Sequence, residues 1–407
     1  MRSKTLLATT ALVAMAAVCF PRAQKEAQAG PPNIVEKVVT SSVVQPAKAL
    51  PQPKVEVVFA LDTTSSMSGL IAGAKEKIWA IANSLALAKP APQIKMGLVA
   101  YRDRGDAYVT KLSPLTEDLD AIYEALMAFR ARGGGDSPES VNQGLYEAVK
   151  KMEWDKEKNT YRVVFLVGDC PPHMDYKDDV KYPKTCSMAR EMGIVINTIQ
   201  CGNYGNTQVT WSDIAKLGGG KYFRVAQSGG ARVTSTPFDS DIAKASRDLD
   251  ATRIYYGSKV ERSMGEARKN QGKRIQSKAS ISAVAQRAMF NACESGADNF
   301  YGHKELLDDV KINRVDIEKL ADDQLPEKLR SVKKEDREKE MKKLLLAREE
   351  LQKKIKELTA KRSAFINKKL KASADGGKKA LTQQVYDTIK TQAADKEINY
   401  DADMACH

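Results

Sequence analysis

The chain has 407 residues, 65 Lys and Arg against 52 Asp and Glu, a formal net charge of +13, six cysteines and three histidines. That length holds two or three domains with a real core. So few histidines, and no G-x-x-x-x-G-K-[ST] loop anywhere, leave little material for metal-hydrolase or P-loop chemistry.

Arg2 and Lys4 precede the apolar run Leu6 to Phe20, and Ala27-Gln28-Ala29 forms an A-x-A cleavage pattern. Residues 1–29 therefore read as a signal peptide, with an uncleaved membrane anchor as the alternative. The expected location is outside the cytoplasm, periplasmic or secreted. No later apolar stretch is long enough for a span. Residues 30–52, with Pro31, Pro32, Pro46 and Pro51, read as an extended linker.

Val57-Val-Phe-Ala-Leu61 is an apolar run that reads as a strand buried on both faces. It ends in Asp62-Thr-Thr-Ser-Ser66. Leu70, Ile71, Ala74, Ile78, Ile81 and Leu85 then make one helical stripe. Further strands are expected at Ile94 to Tyr101, at Tyr108 to Leu112 as an edge, at Tyr161 to Gly168, at Ile194 to Ile199 and at Tyr222 to Val225. Helical spacing falls at 118–130, from Pro138 to Met152, at 180–192 and at 209–217. The alternation predicts an α/β fold: a doubly wound, mostly parallel sheet with helices on both faces, over residues 53–230. A mainly helical extension follows at 231–326, then a long basic helix or helical hairpin at 327–372 and a tail at 373–407. Met341, Leu344, Leu351, Ile355, Leu358 and Phe365 lie near a and d spacing, which suggests a coiled coil or self-association, although Arg348 and Arg362 interrupt the seam.

Asp62, Thr64 and Ser66 alternate at a strand's carboxyl end, where open α/β sheets bind ligands. One carboxylate with two hydroxyls is a hard-oxygen set suited to Mg²⁺ first, with Mn²⁺ or Ca²⁺ as alternatives, rather than zinc. The alternative is a helix-capping role, with Ser66 or Ser68 helping the first helical turn. Two more loops are expected at the same edge: Gly133-Gly-Gly-Asp136, and Asp169 after the second central strand.

The D-x-T-x-S pattern, the Gly-rich loop and Asp169, in that order, resemble the metal-ion-dependent adhesion site of von Willebrand factor A domains. The G-G-G-D-x-P-E form at 133–139 is similar to the subgroup found beside α-kinases. The resemblance implies that Thr64 and Ser66 bind the metal through hydroxyls, and that Asp62 and Asp169 act directly or through water. Asp136 departs from the threonine usual there, so either Asp136 or Glu139 is the ligand from this loop. The macrodipole of the next helix is the other account of Asp136. The resemblance further implies a partner protein whose acidic side chain fills the metal's open position, with no enzyme activity.

His173 is a second candidate to line the cleft. Cys170, Cys186 and Cys201 follow or lie between neighbouring strands, and in an oxidising compartment a disulfide between two of them is expected. A Ser66–His173 hydrolase is disfavoured because Ser66 lacks the glycines of a nucleophile elbow. Much of the excess charge sits at 331–380, roughly 17 Lys and Arg against 8 acids. For an exported chain that composition points to an anionic envelope surface rather than nucleic acid. A structural envelope protein that binds through this tail, its metal site vestigial, is the alternative function.

Overall fold

Apolar runs of β-branched residues build the middle of the sheet, where both faces must be covered. The structure is a computed structural model and describes residues 52–135, 137–226, 235–372 and 381–400. The signal peptide, nearly all of the linker, Asp136 and the last seven residues lie outside the described residues.

In chain order the first part comprises β1 (Lys54–Asp62), α1 (Ser68–Leu85), β2 (Ala88–Lys89), β3 (Gln93–Tyr101), β4 (Thr110–Thr116), α2 (Leu119–Ala128), α3 (Val141–Lys150), β5 (Tyr161–Gly168), α4 (Tyr182–Glu191), β6 (Ile194–Cys201), α5 (Gly205–Leu217) and β7 (Gly219–Val225). Six strands form one sheet in the order β4-β3-β1-β5-β6-β7. All neighbours are parallel except β3 and β4. Alternation along β1 divides the core. Val55, Val57 and Leu61 face α1 and α2, whereas Val58 and Ala60 face α3, α4 and α5. The chain leaves β1 for α1 on one face and β5 for α4 on the other. The crevice between those adjacent strands is therefore the topological switch point.

The helical part follows: α6 (Asp239–Ala251), α7 (Lys259–Lys278), α8 (Ile281–Asn291), α9 (Ala297–Tyr301), α10 (Leu306–Lys311), α11 (Glu327–Arg330), α12 (Lys334–Ala372), α13 (Leu381–Ala394) and β8 (Asn399–Tyr400). Helix α7 opens with a capping box between Ser258 and Glu261. This layer is not an appendage. Val385, Tyr386 and Ile389 of α13 join the core beside α1, Gln392 hydrogen-bonds Tyr161 and Asn197, and β8 pairs antiparallel with β2.

The long basic segment is one 39-residue helix, α12, after a short α11, and not a hairpin. Its heptad stripe is present, but it faces the chain's own helices and not a coiled-coil partner. Ile355, with Leu351 and Leu358, packs among α6, α8 and α9, and Met341 packs against Leu306 and Leu329. The arginines that break the seam explain this choice. Arg348 makes two 2.8 Å bonds to buried Glu305, and Arg362 bonds Asp239 at 2.9 Å. A buried guanidinium requires a fixed carboxylate, and α6 supplies one to Arg362 and the turn before α10 one to Arg348.

A second buried network ties the helical layer to the sheet domain. Arg287 of α8 forks onto Asp120 of α2 at 2.7 and 2.6 Å and also reaches Asp250 of α6 at 2.9 Å. Arg287 and Asp120 are fully buried.

Candidate metal site at the sheet edge

Strand β1 delivers Asp62 to the carboxyl edge beside Tyr101 of β3. The chain then turns: Thr63 N–H donates to Tyr101 O at 2.9 Å, and a 3₁₀ turn at Ser65–Met67 leads into α1. Thr64 donates twice to Asp62 Oδ1, from its amide at 2.9 Å and from its hydroxyl at 2.7 Å. The Ser66 hydroxyl lies 3.2 Å from that of Thr64. With its proton committed to Asp62, the Thr64 oxygen keeps its lone pairs for another partner. Asp62 and Thr64 are buried, while Ser66 is exposed at the rim.

The Gly-rich loop is laced onto this turn. Ser65 N–H donates to Gly133 O and Arg132 N–H to Thr63 O, both at 3.1 Å. Gly134 has φ +76°, and a Cβ there would stand 3.0 Å from both the Thr64 Cβ and Glu139 Oε1. The loop thus needs glycine both for its left-handed backbone and for its close approach. Glu139 is buried, held by its N–H to Pro171 O, and its carbonyl accepts from His173 N–H. The expected helix start at Pro138 is not seen. Ser137–Pro138 is a cis peptide, Glu139 bridges to Pro172, and α3 begins at Val141.

The third loop follows β5. Gly168 lies against Asp62, and a Cβ there would be 2.5 Å from the Tyr101 hydroxyl and 3.0 Å from the Asp62 Cβ. Asp169 is buried next in the chain, its carbonyl accepting from the Thr207 hydroxyl at 2.8 Å. Asp62, Thr64, Ser66, Glu139 and Asp169 thus come to one edge from three segments.

Charge accumulates here. Burial, then the neighbouring Asp169 charge, pushes the Asp62 carboxyl up to about 7 despite its bonds from Thr64. Burial pushes Glu139 up to about 9, helped by Asp62, Asp103, Asp106 and Asp169. Among the described residues, Asp62 Oδ2 and Glu139 Oε2 are both buried without a hydrogen-bond partner. Buried carboxylate oxygens without donors are costly, and a divalent cation relieves that cost. Hard oxygens from two or three carboxylates and two hydroxyls fit a cation that retains waters. Among the described residues, no three His, Cys, Asp or Glu side chains form a ready-made metal cage. The fit accordingly depends on the hydroxyls.

Two acids escaped the sequence reading. Asp106 accepts from Gly134 N–H at 3.0 Å, and Asp103 accepts from the Ser140 and Tyr176 hydroxyls at 2.8 and 2.9 Å. The available signal was Arg102-Asp-Arg-Gly-Asp106 directly after a strand. His173 is buried and engaged, with Nδ1 2.8 Å from Asp175, Nε2 3.4 Å from Asp103, and its ring stacked on Tyr176 at 4.0 Å. It braces the loop and does not line an open cleft. The expected disulfide is absent: Cys170, Cys186 and Cys201 are free thiols. Cys186 packs in the core on one face of the sheet and Cys201 in the core on the other, so the sheet separates them.

Residues 56–237 match the family model for the von Willebrand factor A domain. The segment is a von Willebrand factor A domain. The chain is 30% identical over 121 residues to the α-protein kinase vwkA of Dictyostelium discoideum, covering 29% of this chain and 19% of the kinase. It is 27% identical over 125 residues to a protein of Acanthamoeba polyphaga mimivirus described as ariadne-like RING finger protein R811, covering 30% and 12%. The chain thus spans less than a fifth of the length of either relative. Among solved structures it is similar to the SpRpn10 VWA domain at 15% identity and TM-score 0.34, over 45% of this chain and all of that one. It is also similar to proximal thread matrix protein 1 of the mussel byssus with a zinc-occupied MIDAS motif, at 18% identity and TM-score 0.33, over 42% of each chain. The fold assignment rests on the strand order and the family match, not on these scores.

Proposed function

We propose that the von Willebrand factor A domain is a cation-dependent protein-binding module of an exported chain, with Mg²⁺ as the resident ion. Thr64, Ser66 and Asp62 would hold the ion, with Asp169 and Glu139 contributing directly or through water. When bound, the ion supplies an electrophilic point at the rim that takes an acidic side chain of a partner protein. The supporting observation is the pair of buried, unpartnered oxygens, Asp62 Oδ2 and Glu139 Oε2, beside a hydroxyl pair that opens to solvent at Ser66. Binding rather than catalysis is the reading because His173, the histidine at this edge, is buried, held through Nδ1 by Asp175 and stacked on Tyr176.

The test is capture from a cell-envelope extract by the immobilised chain, with Mg²⁺, with EDTA, and with Asp62→Ala. A partner retained only with the cation and intact Asp62 supports the proposal. Capture that ignores EDTA and Asp62→Ala but fails at high salt overturns it in favour of a scaffold role for the basic helix.

A further inference from the structure

Helix α12 divides its two sides sharply. Arg348, Ile355, Arg362 and Ile366 are buried against the rest of the chain. The outward side of its second half carries Lys353, Lys354, Lys356, Lys361 and Lys368, all exposed, with Glu357 the single exposed acid between Lys353 and Lys368. The first half is different. There Lys342 pairs with Glu338, Lys343 with Glu340, and Glu349 with Lys311. Among the described residues, none of the five outward lysines has an ion pair or hydrogen bond. Fifteen residues of helix extend about 22 Å. This is a rigid cationic bar, fixed from behind by buried guanidinium–carboxylate pairs.

We propose that this lysine side of α12 is a docking surface for an anionic phospholipid bilayer. Charge complementarity is one argument, and side-chain chemistry selects the partner. Lysine is a hydrated point charge that reads a diffuse negative field, whereas bidentate phosphate recognition draws on arginine. The arginines of the helix, Arg337, Arg348 and Arg362, are instead turned inward and engaged by carboxylates. The outward side carries no aromatic ring on which nucleic-acid bases would stack. No described helix is long and apolar enough to cross a bilayer. The surface is independent of the metal site and acts without a cation.

The experiment is co-sedimentation of the full chain with vesicles of phosphatidylglycerol and phosphatidylcholine, against pure phosphatidylcholine vesicles. The expected result is binding to the anionic vesicles alone, lost at 0.5 M NaCl, unchanged by EDTA and unchanged in Asp62→Ala. Lys353→Glu, Lys354→Glu, Lys361→Glu and Lys368→Glu together are expected to weaken it about a hundredfold or more, with circular dichroism and the melting temperature confirming an intact fold. The milder Lys→Gln set is expected to give a smaller loss in the same order. Equal binding by the charge-reversed chain overturns the proposal, as does failure to bind anionic vesicles. Tighter binding to duplex DNA than to vesicles at the same salt also overturns it, in favour of nucleic acid.

Discussion

Replacing Arg287 by Met keeps much of its volume and removes its charge. The guanidinium is fully buried and holds three bonds of 2.6 to 2.9 Å, two to Asp120 and one to Asp250. Without it the Asp120 carboxylate is buried with no donor fork. Breaking such a pair from one side costs about 3–5 kcal/mol. Arg253 and Arg268 still favour the charged Asp120 from nearby, so the lower end, about 3 kcal/mol at pH 7, is expected. The pH dependence separates this account from simple loss of packing. In the intact chain burial tends to raise the Asp120 carboxyl, but the Arg287 charge outweighs it and holds the group below its ordinary 3.8. Its stabilising contribution is complete above that value and is lost as pH falls through the lower folded value. In the variant, burial dominates and raises the same carboxyl, so acid helps the variant fold. The gap between the two chains should shrink from pH 7 to pH 4.5. Urea unfolding followed by circular dichroism at both values measures it. A loss under about 1 kcal/mol at pH 7, or a gap equal at both pH values, refutes the assignment of a charged clamp between α2 and α8.

Other perturbations test separate parts. Gly168→Ala drives a methyl against the Tyr101 hydroxyl and the Asp62 Cβ; a loss of about 1–3 kcal/mol is expected from thermal melting, together with weakened cation binding. Ile389→Ala on α13 should cost about 2–5 kcal/mol in the same assay, because the side chain is fully buried in the core beside α1; a neutral result would mean that α13 is not part of the domain. Thiol titration should find Cys186 and Cys201 reactive only after denaturation, with no reductant required, since both are buried and unpaired. A mass shift of two hydrogens on reduction, traced to that pair, would contradict the placement.

The central strands and the three loops were legible because they rest on local signals. An apolar run from Val57 to Leu61 ending in Asp62 admits one placement, and the period along β1 assigns its two faces. What escaped depends on contacts distant in sequence. Nothing local in Leu381–Ala394 says that it packs on α1, since its apolar stripe fits any helical neighbour. The heptad in α12 was visible, but whether it meets another copy or its own chain depends on Glu305 and Asp239, which are 43 and 123 residues from the arginines they bind. Asp103 and Asp106 resemble ordinary turn acids; the role of Asp106 appears only when Gly134 folds over it, and that of Asp103 when the Ser140 and Tyr176 hydroxyls close on it. The disulfide expectation failed because strand adjacency in sequence does not reveal that Cys186 and Cys201 pack on opposite faces of the sheet.

Isothermal titration of the purified full chain with Mg²⁺ tests the metal-site proposal most directly, with Mn²⁺ and Zn²⁺ as parallel titrants and Asp62→Ala as the control. The account expects one saturable site for Mg²⁺, abolished in Asp62→Ala and weakened in Glu139→Gln, while both variants keep the far-ultraviolet spectrum of the parent chain. No saturable heat with any of the three ions, or equal binding by the Asp62→Ala chain, would contradict a cation held at this edge of the sheet.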